Sequence, residues 1–341
     1  MKALRIYVIP VMILAVLFLG TLAAYKYYNA VRPLTRTSTE YLDTVCTVTI
    51  YDDKDSSLMD GAFAMLANYD RQFGMDRDGG DVWRINHANG AATVVDPDTY
   101  TLIDKAIAYS AISGGKFDIT IGAVSSLWDF TGGSAALPDP DKLAAALALV
   151  GWQRVQLNPA DHSVTVGPGM MLDLGAIAKG FIADQIASYL QAGGVHSAIV
   201  DLGGNIYVIG DKAGKPFSVG VRQPFTSPAR AALTLDVTQK SVVTSASDQR
   251  YFYLNGQLYH HILDPATGYP ADSGLQSVTI VSDSSTDGDA LSTICFLLGE
   301  DGARALLSTE QFSGIGAVFI RDGGSVSTYG VDGYVQQETT K

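Results

Sequence analysis

The stretch from residue 197 to residue 282 constrains the fold more than any other part of the chain. It is a series of short runs rich in Val, Ile, Thr, Tyr and Phe at 197–201, 205–210, 217–222, 231–237, 241–245, 250–254, 258–263 and 275–282. Short β-branched and aromatic runs separated by Gly, Pro, Asn, Asp and Ser read as strands. Helical patterns lie apart from this series. Ser57 to Phe73 has helical periodicity and ends at Gly74. Asp96-Pro97 and Asp139-Pro140 each place a capping acid before a proline at the first helical position. The first of these helices should run to about Ser113, and the second should end at Gly151. A further helix is expected up to Gln191, closed by Gly193-Gly194, another from about Thr286 to Leu298, stopped by Gly299, and one more over 301–308. Thr44–Tyr51 reads as a strand, 153–166 as a hairpin, 315–320 and 325–330 as closing strands, and the polar, Gly-rich 74–90 as a loop. Strands in series beside separated helices predict an α+β fold with mixed, largely antiparallel sheets and flanking helices.

The N-terminus follows different rules. Lys2 and Arg5 precede an apolar run over 6–25, long enough to cross a bilayer core. We read 1–5 as a short cytoplasmic N-terminus, 6–25 as an uncleaved membrane anchor with a cleaved signal as the alternative, and 26–40 as a polar tether. No internal linker interrupts 41–334, which is expected to form one catalytic unit of two lobes, followed by a tail at 335–341. This topology places the catalytic unit at the cell membrane, on the extracytoplasmic side. The net charge of −12 argues against a nucleic-acid partner held by attraction to phosphates. Cys46 and Cys295 lack metal-type spacing and read as buried free thiols rather than a bridge.

Common catalytic signatures are absent: there is no GxGxxG, Walker A, HExxH or GxSxG. Three segments carry candidate chemistry, each with a structural alternative. Asp173-Leu174-Gly175-Ala176-Ile177-Ala178-Lys179-Gly180 sets an acid at a strand end, a small-residue turn and a lysine in the first helical turn. Open N–H groups there suit an anion, and close packing of a Gly-Ala helix start is the alternative. His260-His261 precede Ile262-Leu263-Asp264-Pro265-Ala266-Thr267-Gly268-Tyr269-Pro270. On a strand they face opposite ways, so at most one serves a given pocket, as a general base or as a hydrogen-bonded loop histidine. Asp289 and Thr293, four apart, share a helix face whose oxygens suit Mg²⁺, whereas Thr286 with Asp289 also spells a capping box.

Taken in order with Leu42-Asp43-Thr44, Phe117-Asp118-Ile119-Thr120-Ile121-Gly122, Leu127-Trp128-Asp129-Phe130, Gly203-Gly204-Asn205 and Gly299, these segments resemble the ApbE family of FAD:protein FMN transferases, over about 41–334. The resemblance implies two lobes around a flavin site. It implies that Asp173 and Lys179 contact FAD, and that Leu42, Met75, Leu127, Trp128, Asp129 and Ile262 line the flavin and adenine pocket. It implies further that the Ala176 carbonyl, Asp289 and Thr293 hold Mg²⁺, with Ser292 beside them, and that His261 is the base. The implied reaction is Mg²⁺-dependent transfer of FMN from FAD to a Thr or Ser hydroxyl of an exported or membrane flavoprotein, with release of AMP. The alternatives are a Mg²⁺-dependent FAD pyrophosphatase and a non-catalytic flavin-binding protein.

Overall fold

The computed structural model describes residues 17–21, 32–52, 55–130 and 135–336. An eight-stranded sheet runs through it, and its strands stand side by side in chain order: Leu34–Ser38, Cys46–Ile50, Ser197–Leu202, Asn205–Gly210, Lys240–Ala246, Leu275–Ser282, Gly316–Arg321 and Val326–Tyr329. All of its neighbouring pairs are antiparallel, as the serial pattern predicts.

Period-two alternation gives the sheet two apolar faces. Cys46, Val48, Ile50, Val200, Ile280 and Phe319 belong to one core, which the helices Ser56–Phe73, Ala178–Ala192 and Ser285–Leu307 cover. Val208, Val242, Val281 and Ile320 face the other way, onto the hairpin Phe217–Arg222/Ala231–Val237, whose Phe217, Val219, Val221, Leu235 and Val237 close that side. A third cluster makes the second lobe: Val124, Trp128, Leu143, Ala146, Tyr259 and Leu263 join the segment after Gly122, the helix Pro140–Leu147 and the hairpin Tyr251–Leu254/Gln257–His260. Trp128 Nε1 donates to Gly268 O at 2.9 Å, locking two of these pieces together.

Most helix boundaries obey their caps. Asp96 accepts from Asp98 N at 2.9 Å, and Asp139 accepts from Asp141 N and Lys142 N at 3.0 Å, each before a proline at the helix start. Gly299 (φ 70°, ψ 171°) breaks the last long helix where a stop was expected. Two expectations are corrected. The tether assigned to 26–40 contributes Leu34–Ser38 as an edge strand, because Thr35 and Thr37 meet Thr49 and Thr47 across the pair at 3.2 and 3.0 Å. The loop at 74–90 contains the helix Asp81–His87, anchored by the short apolar pair Val82 and Ile85 and by buried Asp81, which accepts from Asp96 N at 2.9 Å and Thr99 Oγ1 at 2.7 Å. Cys46 and Cys295 are buried free thiols. The run over 6–25, apart from 17–21, and the tail beyond 336 lie outside the described residues. Among the described residues no helix is long and apolar enough to cross a membrane.

Candidate active site

Between the two lobes lies a cavity of about 1040 Å³, at the upper end of the range for small-molecule sites. The sheet lobe supplies Asp201, Asn205, Thr244, Ser245, Asp289 and Thr293, the second lobe supplies Trp128, Phe130 and Leu263, and the Asp173–Lys179 turn lies along the wall.

That turn is built by its own acid. Asp173 Oδ1 accepts from Gly175 N at 2.9 Å, and its Oδ2 accepts from Ser125 Oγ at 2.8 Å. Lys179 Nζ donates to Gly175 O at 3.1 Å and stands 3.9 Å from Asp289 Oδ1. No side chain caps the helix Ala178–Ala192 from its N-cap position. Asp289, reaching over from the neighbouring helix, accepts from Gly180 N at 2.9 Å. Close approach is essential here, since a Cβ at Gly180 would sit 2.2 Å from Ser285 O and 2.8 Å from Asp289 Cβ. The capping-box reading of Asp289 is thereby replaced. Ser284 caps its own helix through Asp287 N at 3.2 Å, and Asp184 accepts from Ser285 N at 2.7 Å and Thr286 N at 2.9 Å.

Asp289 is 3% exposed, and burial pushes its carboxyl above the usual range against the pull of Lys179 and the Gly180 N–H. Beside it, Asn205 is 1% exposed and accepts from Ser285 Oγ. Its Nδ2 lies near enough to Asp289 to favour the carboxylate yet completes no hydrogen bond. A buried orphan donor in a cavity wall asks for a ligand acceptor. Asp201 also lines the cavity, accepts from Gly204 N at 2.9 Å and is pushed upward by burial.

The two histidines divide at a strand end: His260 closes the strand Gln257–His260 and His261 follows it. His260 is turned into the protein, against Ala271 O at 3.1 Å and the Phe296 ring. His261 lines the cavity, and its buried Nδ1 has no partner. Burial, with the charges of Arg250, His260 and Lys179, pushes the His261 imidazole down to about 3, so it is neutral at physiological pH.

Leu42, Met75, Trp128, Asp173, Ala176, Lys179, His261, Ile262, Asp289 and Thr293 all line this one cavity. Leu127 and Asp129 do not. Leu127 packs against the second-lobe cluster and Asp129 is exposed, whereas Trp128 and Phe130 on either side of Asp129 reach the cavity. Ser292 is wholly buried behind the wall. Sequence reasoning gave no site role to Asn205, named there only within the Gly203-Gly204-Asn205 segment, or to Arg77. Arg77 Nε donates to Asp70 Oδ2 at 3.1 Å while Asp70 Oδ1 accepts from Leu42 N at 2.8 Å, a brace for the left-handed backbone at Leu42 (φ 57°). Such a conformation is unusual for a bulky residue, and no spacing in the sequence announces it.

The oxygen donors suit a hard cation. Asp289, Thr293 and Ala176 line the same cavity, and no group of three His, Cys, Asp or Glu able to hold a metal occurs among the described residues. That set fits Mg²⁺, which keeps waters and substrate phosphates as further ligands.

The ApbE family profile matches residues 42–319. The chain is similar to the FAD:protein FMN transferase of Treponema pallidum (strain Nichols), 39% identical over 299 residues, covering 82% of this chain and 82% of that protein. It is similar also to the FAD:protein FMN transferase of Klebsiella pneumoniae (strain 342), 38% identical over 269 residues, 78% of this chain and 83% of that protein. Among solved structures, the ApbE protein of Thermotoga maritima superposes with a TM-score of 0.80 at 29% identity, covering 87% of this chain and 96% of that one. The flavin transferase ApbE of Vibrio cholerae shares the fold, with a TM-score of 0.76 at 23% identity over 89% of this chain and 100% of that one.

Proposed function

Since this chain belongs to the ApbE family, we propose that it moves the FMN part of FAD onto a Thr or Ser hydroxyl of an exported or membrane flavoprotein, in a Mg²⁺-dependent reaction that releases AMP. The observation that carries this reading is the convergence of a neutral histidine, the Asp173–Lys179 turn with its lysine and a buried carboxylate on one cavity. Leu42, Met75, Trp128 and Ile262 provide apolar walls for the flavin and adenine rings. Asp173 and Lys179 contact FAD, and Lys179 offsets charge on its pyrophosphate. Asp289, Thr293 and the Ala176 carbonyl would hold Mg²⁺, which when bound supplies charge neutralisation to the phosphoryl oxygens. His261 removes the proton of the acceptor hydroxyl. The oxygen attacks the phosphorus on the riboflavin side, the bond from that phosphorus to the bridging oxygen breaks, and AMP departs with the electron pair.

We further propose that the run over 6–25 holds the protein at the cytoplasmic membrane with the catalytic unit outside the cell, where such acceptors reside. The test is incubation of the full chain with FAD, Mg²⁺ and candidate acceptor proteins, read by intact mass. An increase equal to FMN on an acceptor, with AMP in equal amount, supports transfer. Free FMN and AMP with no mass change on any acceptor would instead make the protein a pyrophosphatase.

A further inference from the structure

Three hydroxyls and one carbonyl run in line from the cavity wall, where Thr293 and Ser245 stand, to Ser292 behind it. Ser292 Oγ lies 2.9 Å from Asp289 O, Ser245 Oγ lies 2.7 Å from Ser292 Oγ, and Ser245 Oγ lies 3.0 Å from Thr293 Oγ1. A hydroxyl has one proton to give and two lone pairs to receive with, and this arithmetic fixes every direction. The carbonyl of Asp289 only accepts, so Ser292 spends its proton there. Ser245 therefore donates to Ser292 and has no proton left for Thr293, and Thr293 donates to Ser245. The Thr293 proton is drawn into the wall, and a lone pair of Oγ1 is left for the cavity that Thr293 lines.

We propose that Ser245 and Ser292 are positioning residues that polarise Thr293 as an oxygen ligand for the divalent cation. The inference rests on the reading that Thr293 binds that cation. Reversed, the relay would turn the Thr293 proton toward the cavity, where it would oppose a positive ion. Ser292 thus serves the cation without touching it. Its side chain is fully buried and outside the cavity lining, and its influence passes through Ser245, which the strand Lys240–Ala246 brings to the wall.

The test uses the full chain with Mg²⁺ alone, and then Mg²⁺ with FAD bound, in calorimetric titrations, alongside thermal melting. Ser292→Ala removes the acceptor that fixes Ser245, and Ser245→Ala removes the acceptor for Thr293. Each should weaken Mg²⁺ binding by about tenfold, the usual scale for losing a partner of a metal ligand. FAD affinity without Mg²⁺ should stay unchanged in Ser292→Ala, whose side chain lies outside the cavity lining, and Ser245→Thr, which keeps the hydroxyl, should restore Mg²⁺ binding. Wild-type Mg²⁺ affinity in both alanine variants overturns the relay while leaving the cation site standing. Failure of the unaltered protein to bind Mg²⁺ in either titration overturns the cation reading itself, and the relay with it. If one alanine variant melts early, the other decides.

Discussion

His260 Nε2 meets the carbonyl of Ala271, which can only accept, so the proton sits on Nε2 and Nδ1 is left to receive Ile262 N–H at 3.3 Å. Both ring nitrogens are thereby committed to structure, whereas His261 keeps an unpartnered Nδ1 beside the cavity. His261→Ala should slow single-turnover transfer to an acceptor peptide by about 10²–10⁴ with saturating FAD, while FAD affinity holds. His260→Ala should instead lower the unfolding midpoint, losing about 1–3 kcal/mol as the Ile262 N–H goes unpaired. A larger transfer defect in the His260 variant would reverse the assignment. Titration gives a second check. Burial lowers His260 from 6.5 to about 4 and His261 to about 3. The unfolded chain therefore takes up these protons before the folded one does, and stability is complete above pH 6.5 and falls as pH drops toward 4. Denaturant midpoints between pH 4 and 7 should show this slope, and His260→Gln should cut it by about half, since His261 contributes the rest. For the same reason kcat/KM should hold level between pH 5 and 8, with no acid limb near 6.5. That only one histidine would serve the cavity was expected from strand periodicity, although His261 lies just past the strand Gln257–His260. Which of them would be sealed by Ala271 was not, because that contact spans a turn whose path no spacing reveals.

Two helices meet at Gly180 with no room for a methyl group, and Asp184 on one of them holds the first N–H groups of the other. This junction sets Asp289 and Thr293 relative to Lys179. Gly180→Ala should cost about 1–3 kcal/mol by overpacking, and Asp184→Asn about 2 kcal/mol through the lost cap and charged hydrogen bonds. Both should weaken FAD binding in proportion, as melting curves and flavin fluorescence would report. Retained flavin affinity in a destabilised Gly180→Ala protein would separate the junction from the site. Elements that carry their own signals were readable in advance: the Asp-Pro helix starts, the Gly299 break and the strand Leu275–Ser282. The helix Asp81–His87 was not, since its organising carboxylate is satisfied by Asp96 and Thr99 from another segment. The edge strand Leu34–Ser38 was hidden for a related reason. Its polar residues face solvent and a single partner strand, so it lacks the apolar alternation that marks buried strands.

At the scale of the molecule, the cavity walls come from within 42–297, and the 17–31 stretch contributes no lining residue among those described. A chain beginning at residue 32 should therefore keep full transfer activity in solution, measured against the full-length protein in detergent. Loss of activity on truncation, with folding intact by circular dichroism, would assign the N-terminus a part in the chemistry. Chelation should stop transfer in both forms, and added Mg²⁺ should restore it. The acidic surface, with a net charge of −12, does not oppose a phosphate substrate, because the charge that meets it is local. The two-lobed α+β plan was legible from the serial strands. The brace at Leu42 and the orphan donor of Asn205 were not, since each depends on side chains brought together from distant segments.

The sheet keeps its strands in chain order, but the gaps between them are unequal. Residues 51–196 intervene between Cys46–Ile50 and its neighbour Ser197–Leu202, while 211–239 separate Asn205–Gly210 from Lys240–Ala246. The first excursion is roughly five times longer, which adds about 1.4 kcal/mol of closure entropy. The return of Ser197–Leu202 to Cys46–Ile50 thus carries the largest closure cost in the sheet. During synthesis at ~5–20 residues per second, Cys46–Ile50 emerges about 7–30 s before its partner exists. Throughout that interval one edge of a strand carrying Val48 and Ile50 stands unpaired, and the nascent chain is at its most vulnerable to association with its own copies.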